Sequence, residues 1–99
     1  MTQGERERIT AYRDLIALFM TGNLIAKDFQ SRFLNLFKND PGISGGETYR
    51  ILESIFEEVE SFEDDPSIRS KYYTNEDQLR SALGILLPQL DALLFDSLN

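Results

Sequence analysis

The chain has 99 residues, 41% of them hydrophobic, with seven Phe, no Trp, no Cys and no His, and a formal net charge of −7 at pH 7. That length holds one core, burying roughly 60–65% of the surface its unfolded form exposes, and the composition is too apolar for a disordered chain. The lack of Cys and His removes disulfides, thiolate and imidazole metal ligands, the thiol nucleophile and the usual general base near neutral pH, so no catalytic residue, cofactor or metal site is expected.

The chain opens on the charged run Glu5-Arg6-Glu7-Arg8. No stretch approaches the ~20 apolar residues of a membrane span, and none has the apolar segment and small-residue cleavage site of a signal peptide. The expected location is the cytoplasm. Helical spacing predicts a first helix from about Glu5 to Thr21, with Ile9, Tyr12, Ile16 and Phe19 on one face and Leu15 and Met20 beside them. Gly22-Asn23 is its stop. A second helix is predicted from Ala26 to about Asn39, carrying Phe29, Phe33, Leu36 and Phe37, and Asp40-Pro41-Gly42 closes it.

Ser44 and Glu47 are spaced as a capping box, in which hydroxyl and carboxylate each meet an orphan amide, and they predict the start of a third helix. Tyr49, Leu52, Ile55, Phe56, Val59 and Phe62 form its apolar stripe, and Asp65-Pro66 marks the exit. Asn75 with Gln78 repeats the capping pattern before a fourth helix running through Leu79, Leu83, Leu86, Leu87 and Leu90 towards Leu94. Pro88 lacks an amide proton and presses on the carbonyl of Gly84, so a kink is expected there, with the missing Cβ of Gly84 easing the crowding. Four amphipathic segments joined by short connections, apart from residues 63–74, predict an all-α, antiparallel four-helix bundle forming one domain over residues 1–99.

The charge is uneven. Residues 1–46 hold five acids against six bases, and residues 66–99 four against three. Residues 47–65 hold eight acids (Glu47, Glu53, Glu57, Glu58, Glu60, Glu63, Asp64 and Asp65) against Arg50 alone. At about 100° per residue, Glu53, Glu57 and Glu60 fall within about 60° of one another on a helix, and Asp64 joins them if the helix runs that far. Like charges at this spacing cost a few tenths of a kcal/mol each, and acids at a helix C-terminus oppose its dipole. Two readings of the run are open. It is a solvated face, neutralised by Arg69, Lys71 or Arg32 folding back, or it is a field that steers a basic partner. Nucleic acid is disfavoured as a direct partner because its phosphates are repelled by such a surface. No membrane or small-molecule partner is indicated.

Smaller features stand beside this run. Glu63-Asp64-Asp65 lacks the spaced oxygen ligands and turn glycine of a calcium loop. Asp96-Ser97-Leu98 has the form of the attachment tripeptide of acyl carrier proteins, but it stands at the end of the chain instead of opening a mid-chain helix. Tyr72-Tyr73, after Lys71, offers rings that either anchor an interface beside the acids or plug the end of the bundle. Phe62 is a further anchor residue for such an interface.

With the helices laid out, the chain resembles the immunity proteins of the colicin D type over roughly Tyr12 to Leu90. The resemblance is carried first by Leu15-Ile16, Phe19 and Gly22-Asn23-Leu24-Ile25-Ala26 leading into Phe29. It is carried more specifically by Glu60-Ser61-Phe62-Glu63-Asp64-Asp65 with Arg69 beyond, and by Asn75-Glu76-Asp77-Gln78-Leu79-Arg80. The first of these is similar to the family's acidic E-x-F-E-x-D stretch. The chain departs from the pattern in its longer N-terminus, the Gly45-Gly46 loop and the segment 91–99.

The resemblance implies a four-helix bundle that occludes the basic active site of a tRNA-cleaving toxin domain, with carboxylates standing where substrate phosphates lie. Glu60, Glu63 and Asp64 match the family's acidic stretch. Glu57 joins them by helical geometry, one turn before Glu60. The expected toxin-binding set is therefore Glu53, Glu57, Glu60, Glu63, Asp64, Asp65, Tyr72 and Tyr73, and the expected partner is a cognate basic nuclease domain of a bacteriocin or contact-dependent toxin. The alternative is a non-catalytic regulatory adaptor that docks a basic protein without blocking an active site.

Overall fold

The computed structural model describes residues 2–40, 46–68 and 73–96, and among them the chain forms four α-helices and no strand. They are α1 (Gln3–Met20), α2 (Ala26–Lys38), α3 (Gly46–Glu60) and α4 (Glu76–Asp96). The caps explain most of the boundaries. Thr2 Oγ1 accepts the Glu5 amide at 3.1 Å, which starts α1 two residues ahead of the sequence expectation. At the other end Gly22 takes φ +82°, while its amide and that of Asn23 donate to Phe19 O and Leu18 O at 3.1 and 2.8 Å. This is the Schellman arrangement, which the sequence expectation at Gly22-Asn23 anticipates.

The capping box of α4 is closed in both directions, the Gln78 amide donating to Asn75 Oδ1 at 2.8 Å and the Asn75 amide to Gln78 Oε1 at 2.9 Å. Ser44, the expected cap of α3, lies outside the described residues. α4 runs on through Pro88 to Asp96. A Cβ added at Gly84 meets no atom within 4 Å, so the glycine is not needed to make room for the proline ring.

Each helix packs on its chain neighbours, and α4 closes the ring against α1. Tyr12 lies beside Phe33 and Phe37 while Phe19 stacks on Phe29, so α1 and α2 run in opposite directions. Gln30 reaches Val59 while Phe37 stacks on Phe56, which sets α3 opposite to α2. Between them lies a core of fifteen apolar residues, with Tyr12, Ile16, Phe19, Phe29, Phe33, Leu52, Ile55, Val59, Leu79, Leu83 and Leu90 fully shut off from solvent. An aromatic ladder runs from this core to its edge: Phe19 on Phe29 at 4.7 Å, Phe29 near Phe33 at 5.9 Å, Phe33 over the partly buried Phe37 at 6.2 Å and Phe37 on the partly buried Phe56 at 4.8 Å. Ring pairs of this kind add about 0.5–1.5 kcal/mol each beyond the area they bury.

The pair α1 and α4 is fastened by arginines that cap each other's helix. Neither helix has a basic residue in its own last turn. Arg80, near the start of α4, donates to Phe19 O and Met20 O at 3.1 and 3.4 Å and lies 4.2 Å above the Phe19 ring. Arg6, near the start of α1, donates to Leu94 O at 3.0 Å. Each cation sits at the negative end of the neighbouring helix dipole and satisfies carbonyls that the helix leaves unpaired. Midway, Arg13 Nε meets Asp91 Oδ1 at 2.8 Å, and this carboxylate raises the guanidinium pKa above its ordinary value.

At the far end of the α1–α2 pair, Tyr12 donates its hydroxyl to Asp40 Oδ2 at 2.9 Å, and Arg8 Nε holds Asp40 Oδ1 at 2.9 Å. The Asp40 side chain is only 5% exposed, so this carboxylate is buried and held by two donors. Burial and the adjacent carboxylate push the Tyr12 pKa upward, burial most of all.

Candidate acidic binding surface

The surface is built from the outer side of α3 and the stem of the connection that follows. Glu53, Glu57 and Glu60 are all exposed, and helical geometry places them on one stripe about 10 Å long. α3 ends at Glu60, where the Ser61 and Phe62 amides donate to Glu57 O and Val59 O in a closing turn. Asp64 therefore does not continue the helical stripe but stands, exposed, on the connection beyond it.

That connection is clipped at its base. Phe62 and Thr74 form a parallel bridge in which the Thr74 amide donates to Ser61 O at 2.8 Å and the Glu63 amide to Thr74 O at 3.0 Å. The clip brings Tyr73, which is 45% exposed, next to the acidic stem. Glu63 and Asp65 also do structural work here. Glu63 Oε1 accepts the Asp65 amide at 3.0 Å, and Asp65 Oδ1 accepts the amide and hydroxyl of Ser67 at 2.9 and 2.7 Å. Both carboxylates shape the turn, in the manner of acids that bond the backbone two residues on. Phe62 is only 4% exposed and belongs to the core, so it offers no ring to a partner. Tyr72, Arg69 and Lys71 lie outside the described residues.

Little neutralises the stripe. Among the described residues, no Lys or Arg comes within 4.0 Å of Glu53, Glu57, Glu60 or Asp64. Arg50 pairs instead with Glu47 at 3.6 Å, and Arg32 is exposed on α2. The C-terminus of α3 is capped from α2 by Gln30, whose Nε2 donates to Val59 O and Phe62 O, each at 2.9 Å. A neutral amide thus does here what an arginine does at the ends of α1 and α4. The carbonyls are satisfied while the negative end of the dipole, with Glu57 and Glu60 upon it, keeps its field.

Beside the stripe lies an open groove of about 620 Å³ between α2 and α3, lined by Leu34, Phe37, Lys38, Phe56 and Glu60. Sequence periodicity assigned Phe37 and Phe56 wholly to the core, yet both are only partly buried, each on the solvent edge of its helix stripe. The capping roles of Gln30, Arg6 and Arg80 have no sequence signal, since a cap contributed by a neighbouring helix has no fixed spacing in the chain.

Chemically the surface suits cationic groups. Among the described residues no three His, Cys, Asp or Glu side chains are grouped to hold a metal ion, and no helix is long and apolar enough to cross a membrane. Neither the curated proteins nor the solved structures yielded a significant match. A family model, that of bacterial self-protective colicin-like immunity, matches residues 8–90, which takes in all four helices apart from their outermost ends. By that match the chain belongs to the colicin-like immunity proteins, which protect bacteria by binding a cognate toxin.

Proposed function

We propose that the chain inhibits a cognate nuclease toxin by laying its acidic α3 surface over the toxin's basic active site. The observation that carries this reading is the stripe Glu53, Glu57 and Glu60, exposed, without a described cation in ion-pair reach, and set at a helix end whose cap is neutral. Anions held on a packed helix lose little conformational entropy on docking. Their field lifts association above the ~10⁵–10⁶ M⁻¹s⁻¹ of a neutral pair. Asp64 and Tyr73 extend the same surface across the loop stem, and Glu63 and Asp65 hold that stem in shape. Tyr72, outside the described residues, is proposed as a further contact. The function is stoichiometric binding in the cytoplasm, and the natural target class is a tRNA-cleaving or related nuclease domain of a bacteriocin or contact-dependent toxin.

The test is bait capture followed by inhibition. Immobilised protein is exposed to lysate of the strain that carries it, eluted with rising salt, and the recovered partner is assayed for nuclease activity free and bound. The expected result is a basic nuclease domain silenced at a one-to-one ratio. The triple substitution Glu57→Lys, Glu60→Lys, Asp64→Lys is expected to abolish protection of toxin-exposed cells with the helical fold retained. Full protection by that variant would remove the proposed surface, and a captured basic protein that stays active when bound would replace inhibition by simple docking.

A further inference from the structure

We propose that the groove between α2 and α3 is the anchor pocket of the partner interface, receiving an apolar side chain from a basic segment whose Lys or Arg neighbours pair with the glutamates of α3. The proposal rests on the acidic-surface reading and assigns it a desolvated centre. Glu60 belongs to both features, lining the groove and ending the stripe. On α3, Phe56 falls about 40° from Glu60 and about 60° from Glu53 around the helix axis. An apolar group resting on Phe56 therefore carries its flanking residues over the carboxylates.

Charge alone steers and orients; tight protein interfaces add a central pocket from which water is excluded. The exposed acids supply no such centre. Phe62 is buried in the core and Tyr73 projects from the loop stem, whereas the groove has the required form. Its floor is apolar, and as an open groove of about 620 Å³ it has room for a large apolar side chain. Its walls are also fixed in advance. Phe37 and Phe56 are stacked at 4.8 Å and 20°, and Phe37 is backed by the fully buried Phe33. The rim names the occupant's charge, because Glu60 stands on it with Glu53 and Glu57 within about two turns, while among the described residues Lys38 is the one cation of the lining.

The probes are three blocked tripeptides, Lys-Trp-Lys, Lys-Ser-Lys and Glu-Trp-Glu, titrated into the full-length ¹⁵N-labelled protein and followed by amide shifts. Lys-Trp-Lys is expected to move the signals of Leu34, Phe37 and Phe56 together with those of the α3 glutamates, at about tenfold lower concentration than Glu-Trp-Glu. Lys-Ser-Lys is expected to move the glutamate signals alone. Leu34→Gln, at a partly exposed position, should weaken Lys-Trp-Lys about threefold and leave Lys-Ser-Lys unchanged. If the two lysine peptides give the same shifts with the same affinity, the groove is not an anchor pocket and the acidic surface stands without it. Equal binding of Glu-Trp-Glu overturns the basic occupant, and no response to either lysine peptide removes the groove and the acidic surface together.

Discussion

Tyr12→Phe removes the phenol's hydrogen bond to Asp40, with a longer 3.4 Å contact to Leu36 O, and tests its consequence for alkaline stability. The hydroxyl donates to Asp40 Oδ2 at 2.9 Å in a site where the tyrosine is fully buried and the carboxylate 5% exposed. A hydrogen bond to a charged group contributes about 1.5–3 kcal/mol. The loss is offset in part because a phenyl ring is easier to bury than a phenol, and because Arg8 keeps its 2.9 Å contact with the other oxygen. The net destabilisation is expected at about 1–2 kcal/mol, a fall in Tm of about 5–10 °C for a domain of this size. The pH dependence provides an independent check. The folded-state pKa of Tyr12 is raised above its unfolded value, so the folded form holds its proton longer as pH rises. Its contribution is fully present below about pH 10 and is lost above it, at up to about 1.4 kcal/mol per pH unit. Urea titrations of both proteins between pH 7 and 11 are the assay. The wild type should lose stability above pH 10 more steeply than Tyr12→Phe, narrowing the gap between them. An unchanged midpoint at pH 7, or parallel curves above pH 10, would refute the reasoning.

Removing the cap that Arg80 places on α1, by Arg80→Met, is expected to cost about 1–2 kcal/mol by chemical denaturation. Arg80→Lys should recover only part of it, because an ammonium cannot both fork onto two carbonyls and lie flat on Phe19. Gly84→Ala places a methyl group in open space inside a helix and should stabilise by about 0.5–1 kcal/mol, read as a rise in Tm. The double substitution Glu57→Lys, Glu60→Lys should raise stability by about 1 kcal/mol at low salt while protection is lost, with the gain shrinking as salt is added. A less stable double variant would mean that these carboxylates serve the fold.

The helices were legible because their signals are local. The stop at Gly22, the capping box at Asn75 and Gln78 and the apolar spacing of α1 to α4 all act within one or two turns of chain. The acid stripe was legible for the same reason, since three glutamates at helical spacing share a face wherever the helix sits. What was not legible depends on neighbours distant in sequence. Arg80 and Arg6 cap helices some 60 and 88 residues away, and Asp40, read as a helix stop, is the buried acceptor of Tyr12. Phe37 and Phe56 read as core because periodicity gives the side of a helix but not the depth of a residue at its edge. Asp64 fell off the stripe because the bridge between Phe62 and Thr74 ends α3 at Glu60, and a two-bond bridge has no sequence signature.

Three helix ends are capped by side chains from a neighbouring helix, and one of them is treated differently from the other two. α1 and α4 leave negative carbonyl ends, and in each case an arginine from the partner helix meets them. α3 leaves the same kind of end, carries more acid there than either, and receives a glutamine. An arginine at position 30 would satisfy the carbonyls and draw favourable energy from the dipole and from Glu57 and Glu60. It would also cancel the field of the stripe. The amide keeps the hydrogen bonds and forgoes the charge, so the helix end is closed against water but still presents its full negative potential outward. A protein selected only for stability has no reason to treat one end differently. Under the proposed function, capture of a basic active site supplies that reason, and the residue that makes the difference then sits not on the acidic face but behind it, on α2.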